Sequence, residues 1–330
     1  MESGSNPASS TAALRRLSSD AWSRFIGYLR DSRSLPSKER AFDRFLYGLA
    51  QPLIGARFLL RDSQLLKSAL YPALFLGLFC ATISLLGSRG SANHFVKLFY
   101  RTFVALAPVP SVIFARHYAR LAANAHRKLG FGDCEPRIER WRTVIRRAVY
   151  QAILIALAAA PALALLRIVP LIGKRLAWFA AGIWALHWVV IDAFDDARLL
   201  KGGETLEEAE FKDRSAPLAW FVRGFYRICN HLPAGLRRLA GAFTRLCDRL
   251  SLPWREELSI AENQLWLAIG FGLMTAALLA TPLLNLLFRP IVIVASVHLL
   301  GHVNRERETE DTAFKEPSVF PDRPAEETSP

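Results

Sequence analysis

Long stretches without a single charge alternate with shorter polar pieces along the chain. Ser68 to Ser88 holds 21 such residues, Ala148 to Leu166 holds 19 and Asn263 to Phe288 holds 26. Wound as a helix at about 1.5 Å per residue, each run is long enough to cross most or all of a hydrocarbon core of about 30 Å. The pattern predicts an all-α, polytopic helical membrane protein with about four to six membrane segments, some of them half-spanning. The first is expected at 65–88. The second, 98–115, carries Pro108 and Pro110, which remove backbone donors, and is expected to dip into the bilayer and return. Segments at 148–172 and 175–193 are separated by Gly173 and Lys174 and form a tight helical hairpin. Residues 262–304 then make one apolar region with Glu262 and Arg289 as its only acid and base, divided at Pro282 into two helices.

Two other stretches have helical periodicity but keep their charges. Phe42, Phe45, Leu46, Leu49, Leu53 and Phe58 recur among Arg44, Arg57 and Arg61, as in a helix on a membrane surface or on the protein's own cytosolic face. Leu236, Leu239, Phe243, Leu246 and Leu250 step by three and four, with Arg237, Arg238, Arg245 and Arg249 on other faces. That stretch is expected on an anionic leaflet, or packed against other cytosolic helices. The chain thus divides into a polar, largely disordered 1–40, a leading amphipathic helix and membrane segments over 41–196, a cytosolic helical insertion over 197–259, membrane segments over 260–304 and a disordered acidic tail over 305–330.

Charge orients these pieces. The net charge is +13, and the basic residues gather beside the apolar runs instead of forming one groove-sized patch, which argues for positive-inside topology and against nucleic acid. Both termini and every sizeable loop are expected in the cytosol. Residues 1–20 lack the apolar core of a cleavable leader, so the first span is expected to target the chain. The four cysteines show no metal or disulfide spacing, and no metal or cofactor is expected.

Polar and ionisable groups inside apolar helices are costly and so mark pairs or watery paths. Arg101, Arg167 and Lys174 lie near segment ends and can snorkel to the headgroups. Asp192, His187, Asn285, Arg289 and His298 are harder to place there. Arg289 precedes Pro290, where a broken helix would free backbone groups to face an ion; the alternative is a structural salt bridge to a carboxylate such as Asp192. Asp192, Asp195 and Asp196 resemble half of a magnesium-diphosphate site, but no second aspartate cluster accompanies them, and no enzyme activity is expected. Gly130-Phe-Gly132 and Gly270-Phe-Gly272 suit a helix cap or close helix packing better than phosphate loops.

The stretch IVPLIGKRLAWFAAGIWALHWVVIDAFD, from Ile168 to Asp195, together with TPLLNLLFRPIVIVASVHLLG, from Thr281 to Gly301, and FLYGLAQPLIGARFLL ahead of a helix containing Pro72, resembles the family of bacterial CysZ sulfate permeases and eukaryotic etoposide-induced membrane proteins. The resemblance implies a bacterial inner-membrane protein with both termini cytosolic that passively conducts a small anion. The family's Gly-Leu-Arg-Arg sulfate motif aligns with Gln64, Leu65, Leu66 and Lys67, so it is degraded here and one basic residue remains. The expected anion path comprises Lys67, Asn285 and Arg289, with Asp192 and His187 as partners. The expected partners are the bilayer, its anionic lipids and a small anion, with homo-oligomerisation left open. The alternative is a non-transporting membrane protein that organises lipids or partner proteins through its basic amphipathic helices.

Overall fold

A computed structural model describes residues 7–32, 34–88, 90–106, 112–280 and 282–315, without the side chains of 7–17, 104, 282–287, 311 and 313–315. Thirteen α-helices account for nearly all of these residues: α1 Pro7–Arg30, α2 Ala41–Arg61, α3 Ser63–Gly87, α4 Ala92–Leu106, α5 Ala115–Lys128, α6 Trp141–Ile168, α7 Gly173–Asp196, α8 Leu206–Ser215, α9 Trp220–Asn230, α10 Ala234–Ser251, α11 Arg255–Asn263, α12 Leu265–Leu279 and α13 Pro282–Lys315. Helices α3, α6 and α7 are long and apolar enough to cross a membrane. At 15 residues, α12 reaches only about 22 Å, short of a full span.

The centre of the fold is α2, which lies against both α12 and α13. Close approach is built from small residues. A side chain at Gly48 would meet the Leu267 carbonyl, one at Gly270 the Phe45 carbonyl, and one at Gly55 the backbone of α13 at Ile291 and Ala295. Tyr47, Ala50, Gln51, Ile54 and Leu59 of α2 are buried. The sequence pattern predicts this helix at a surface, of the membrane or of the protein; the structure places it instead in the interior, because its glycines admit α12 and α13. Gly270 and Gly272 serve the same packing, with Val190 of α7 beside Gly272.

Several boundaries differ from the sequence reading. Residues 7–30 are helical, not disordered: Phe25 and Tyr28 pack onto α2, and Arg24 pairs with the buried Asp43 at 2.9 Å. The acidic tail is likewise helical through Lys315, held by Glu306 to Arg44, Glu308 to Lys201 and Glu310 to Lys38. Residues 316–330, Pro108 and Pro110 lie outside the described residues. The α6–α7 turn runs over Val169–Ile172, with Leu171 at φ +66°, and Gly173 already begins α7 because its missing Cβ lets the chain close on Leu166. Helix α13 continues through Pro290 without breaking.

Local signals account for the remaining connections. Thr205 and Glu208 form a reciprocal capping box that starts α8. Basic His126, Arg127 and Lys128 end α5, and Gly130 at φ +75° supplies the left-handed cap. The antiparallel pair β1, Cys134–Pro136, and β2, Leu199–Lys201, ties the loop after α5 to the loop after α7, with Glu135 opposite Leu200.

Candidate functional site

Asp192, Asp195 and Asp196 fall on one face at the end of α7, because residues three and four apart are neighbours on a helix. Arg289 of α13 reaches them: its Nη2 lies 2.7 Å from Asp196 Oδ2 and 3.1 Å from Asp192 Oδ2, with its guanidinium 5.9 Å from the centre of the Tyr118 ring. Arg147 of α6 bridges Glu139 and Asp195 at 2.5 Å each and lies over the Trp254 ring. Trp254 donates its indole N–H to Asp195 Oδ2 at 3.3 Å.

Two residues beyond α7, Arg198 gathers three more acids: Glu257 at 2.9 Å, Glu256 at 2.5 Å and Asp213. Arg137 joins Glu139 and Asp213 from the loop before α6. The junction therefore sets four guanidinium groups against seven carboxylates, counted from these pairs. Fully ionised, it would carry an excess of negative charge. Burial pushes the Glu257 carboxyl up to about 7 against the opposing pull of Arg198, and burial raises Asp213 in the same way. Protons held on such carboxyls reduce the excess.

A cavity of about 120 Å³ lies against this network, lined by Arg116, Arg137, Arg147, Arg198 and Arg289 and by Glu139, Asp192, Asp195 and Asp196. Every lining carboxylate and every lining guanidinium except that of Arg116 is in an ion pair. No group of three metal-ligating side chains with the geometry of an ion site occurs among the described residues. The aspartates that suggested half of a magnesium site are engaged by arginines.

The other residues singled out in the sequence are dispersed. Lys67 is exposed on α3 and does not line the Arg289 cavity. The start of α3 is already occupied: Asp62 accepts from the Gln64 and Leu65 amides at 2.9 and 3.0 Å, and Lys128 binds its other oxygen. An anion at this helix start would have to displace the chain's own carboxylate. Asn285 belongs to α13, with its side chain outside the described residues. His187 stands instead among Trp184, Trp188 and Trp220. His298 is a partnered core residue, 2.7 Å from Gln51 Oε1 and 3.4 Å from Ser32 Oγ.

Arg237, Arg238, Arg245 and Arg249 are all exposed on α10. The helix buries Thr244, Cys247 and Leu250 but leaves Leu236, Leu239 and Leu246 at 56%, 72% and 45% exposure. At about 100° per residue, Leu239 and Leu246 share one stripe, the buried face lies to one side, and Arg238, Arg245 and Arg249 form a row on the other. Helix α9 adds exposed Trp220 and Ile228.

Arg137, Glu139, Arg147, Arg198, Asp213, Glu256 and Glu257 were not singled out from the sequence. Their partners lie 48 to 59 residues apart for Arg147–Asp195 and Arg198–Glu257, and each arginine alone matches the positive-inside pattern. Comparison with protein-family models, curated proteins and solved structures finds no match to this chain.

Proposed function

We propose that the chain is an integral membrane protein that organises anionic lipid at the cytosolic leaflet through its α9–α10 arm. The observation that carries this reading is the α10 surface, where exposed leucines run beside a row of exposed arginines. Such a surface suits the boundary between acyl chains and anionic headgroups. Exposed Leu74, Leu78 and Leu86 on α3 and Trp178 and Phe179 on α7 suit contact with lipid tails. The charged junction fixes the segments flanking the arm, at Asp213 and at Trp254 to Glu257, to the end of α7 at Asp195 and Arg198.

The test uses full-length protein in sealed vesicles. Cysteine placed by Leu239→Cys should be shielded from a membrane-impermeant thiol reagent in phosphatidylglycerol vesicles, less so in phosphatidylcholine, and high salt should narrow the difference. Equal, rapid labelling in both lipids would refute the reading. Reporter fusions after Ser37, Asp133, Glu208 and Glu310 should all report cytosol.

Anion conduction of the CysZ kind is the second reading, favoured by the five arginines around the junction cavity. It predicts anion flux in liposomes that falls with Arg289→Gln while expression holds. The pairing of Arg289 with two carboxylates weakens this reading, because a conducting path needs positive charge left free to attract its ion.

A further inference from the structure

A second cavity, about 520 Å³, opens between the spanning-length helices α6 and α7 and the shorter α9 and α12. Of its twenty lining residues only His187 and Glu262 are ionisable. Glu262 is engaged, taking Arg223 at 2.6 Å and the Trp220 amide at 2.8 Å. Small residues hollow the groove, with Ala159 and Ala162 on α6, Ala180 on α7 and Gly224 on α9. Ile183, Trp220, Ile228 and Leu265 line it and are also exposed, so its wall continues into the apolar outer surface of the helices.

Two observations define the occupant. The walls include two helices long and apolar enough to lie in a bilayer, where the abundant apolar ligand is an acyl chain. Arg227 lies on the same helix as the lining residues Gly224 and Ile228, is exposed and makes no ion pair among the described residues. An apolar groove with a free guanidinium on one of its lining helices complements the chain and phosphate of an anionic phospholipid.

We propose that this groove seats one acyl chain of an anionic phospholipid, with its phosphate at Arg227. The inference rests on the membrane-organising reading and supplies it with a defined lipid site. It differs from the α10 surface in needing a hollow as well as a charged face.

The experiment is native mass spectrometry of full-length protein in mild detergent, supplied with phosphatidylglycerol or phosphatidylcholine of identical chains. Wild-type protein should retain phosphatidylglycerol as a discrete adduct and prefer it over phosphatidylcholine. A side chain at Gly224 meets nothing within 4 Å, so Gly224→Phe enters the hollow with little strain. That variant should lose about tenfold in retention, equivalent to about 1.4 kcal/mol, with unchanged melting. Ala162→Phe, from the opposite wall, should act in the same direction, and Arg227→Gln should narrow the headgroup preference. Undiminished phosphatidylglycerol retention in a folded Gly224→Phe or Ala162→Phe variant would overturn the proposal. So would equal retention of the two lipids by wild type, or a polypeptide adduct displaced by Gly224→Phe. The Leu239→Cys shielding in vesicles should survive Gly224→Phe; its loss in the parent protein would count against the membrane-organising reading and leave the adduct measurement standing.

Discussion

Helices α2 and α10 have nearly the same sequence character, with large apolar residues at helical spacing among arginines, yet one is the centre of the fold and the other keeps leucines in the open. The difference lies in what surrounds their glycines. Gly48 and Gly55 of α2 sit where backbones of α12 and α13 come within contact distance, while Gly235 of α10 faces open space and Gly241 meets only the far end of Arg245. Apolar periodicity sets which face of a helix seeks cover; small residues decide whether another helix can come close enough to provide it.

The largest effect expected from this contrast is steric. Gly270→Leu places side-chain atoms against the Phe45 carbonyl, where backbone must shift, and should lower stability by about 3 kcal/mol, read as a fall in melting temperature in detergent. Gly235→Leu should leave melting nearly unchanged. Similar melting for both would show that the glycine contacts do not separate the two helices.

A second contrast concerns arginine. Arg44 of α2 is 5% exposed and serves Glu306 at 2.6 Å, the Pro36 carbonyl at 3.0 Å and Gln264. Arg44→Ala should destabilise by about 3 kcal/mol, with partial recovery on adding Glu306→Gln, because the stranded carboxylate is then gone. Arg245→Ala on α10 should stay within about 0.5 kcal/mol. A double-mutant thermal series separates these outcomes.

The charged junction should respond to pH where the α10 row responds to salt. Burial holds the Glu257 carboxyl up to about 7 in the folded chain, above its ordinary 4.5. Between those values the folded chain keeps a proton that the unfolded chain has released, so this group makes stability fall as pH rises through the window and then level off. Glu257→Gln should flatten that slope in melting curves taken from pH about 4.5 to about 7. An unchanged slope would assign it to another group, with Asp213 the next to test because burial raises it too.

The smallest effect on the fold belongs to α10. Leu239→Glu should change melting by no more than about 0.5 kcal/mol while reducing the shielding of a nearby cysteine in phosphatidylglycerol vesicles. A large loss of melting temperature would mean that Leu239 is covered within the protein.

The apolar helices, the helical hairpin, the division near Pro282 and the packing role of Gly270 and Gly272 were legible because they depend on composition and spacing nearby in the chain. Asp192 and Arg289 could be named together since each is anomalous in an apolar run. Arg147 and Arg198 could not, as their sequence neighbours say nothing of Asp195 or Glu257. Helix α1 and the helical start of the acidic tail were missed for the same reason: Asp43 and Arg44 lie inside α2, far from their partners Arg24 and Glu306 in sequence.

The lodging of α2 between α12 and α13 has a consequence in time. The ribosome releases α2 some 200 residues before α12 exists, so at about 5–20 residues per second the central helix waits roughly 10 to 40 s for the surfaces that cover it. During that interval Gly48, Tyr47 and Arg44 have neither their backbone neighbours nor their ion-pair partner. The nascent chain is therefore open to proteases and mispairing until α12 and α13 emerge, and those two helices close the centre.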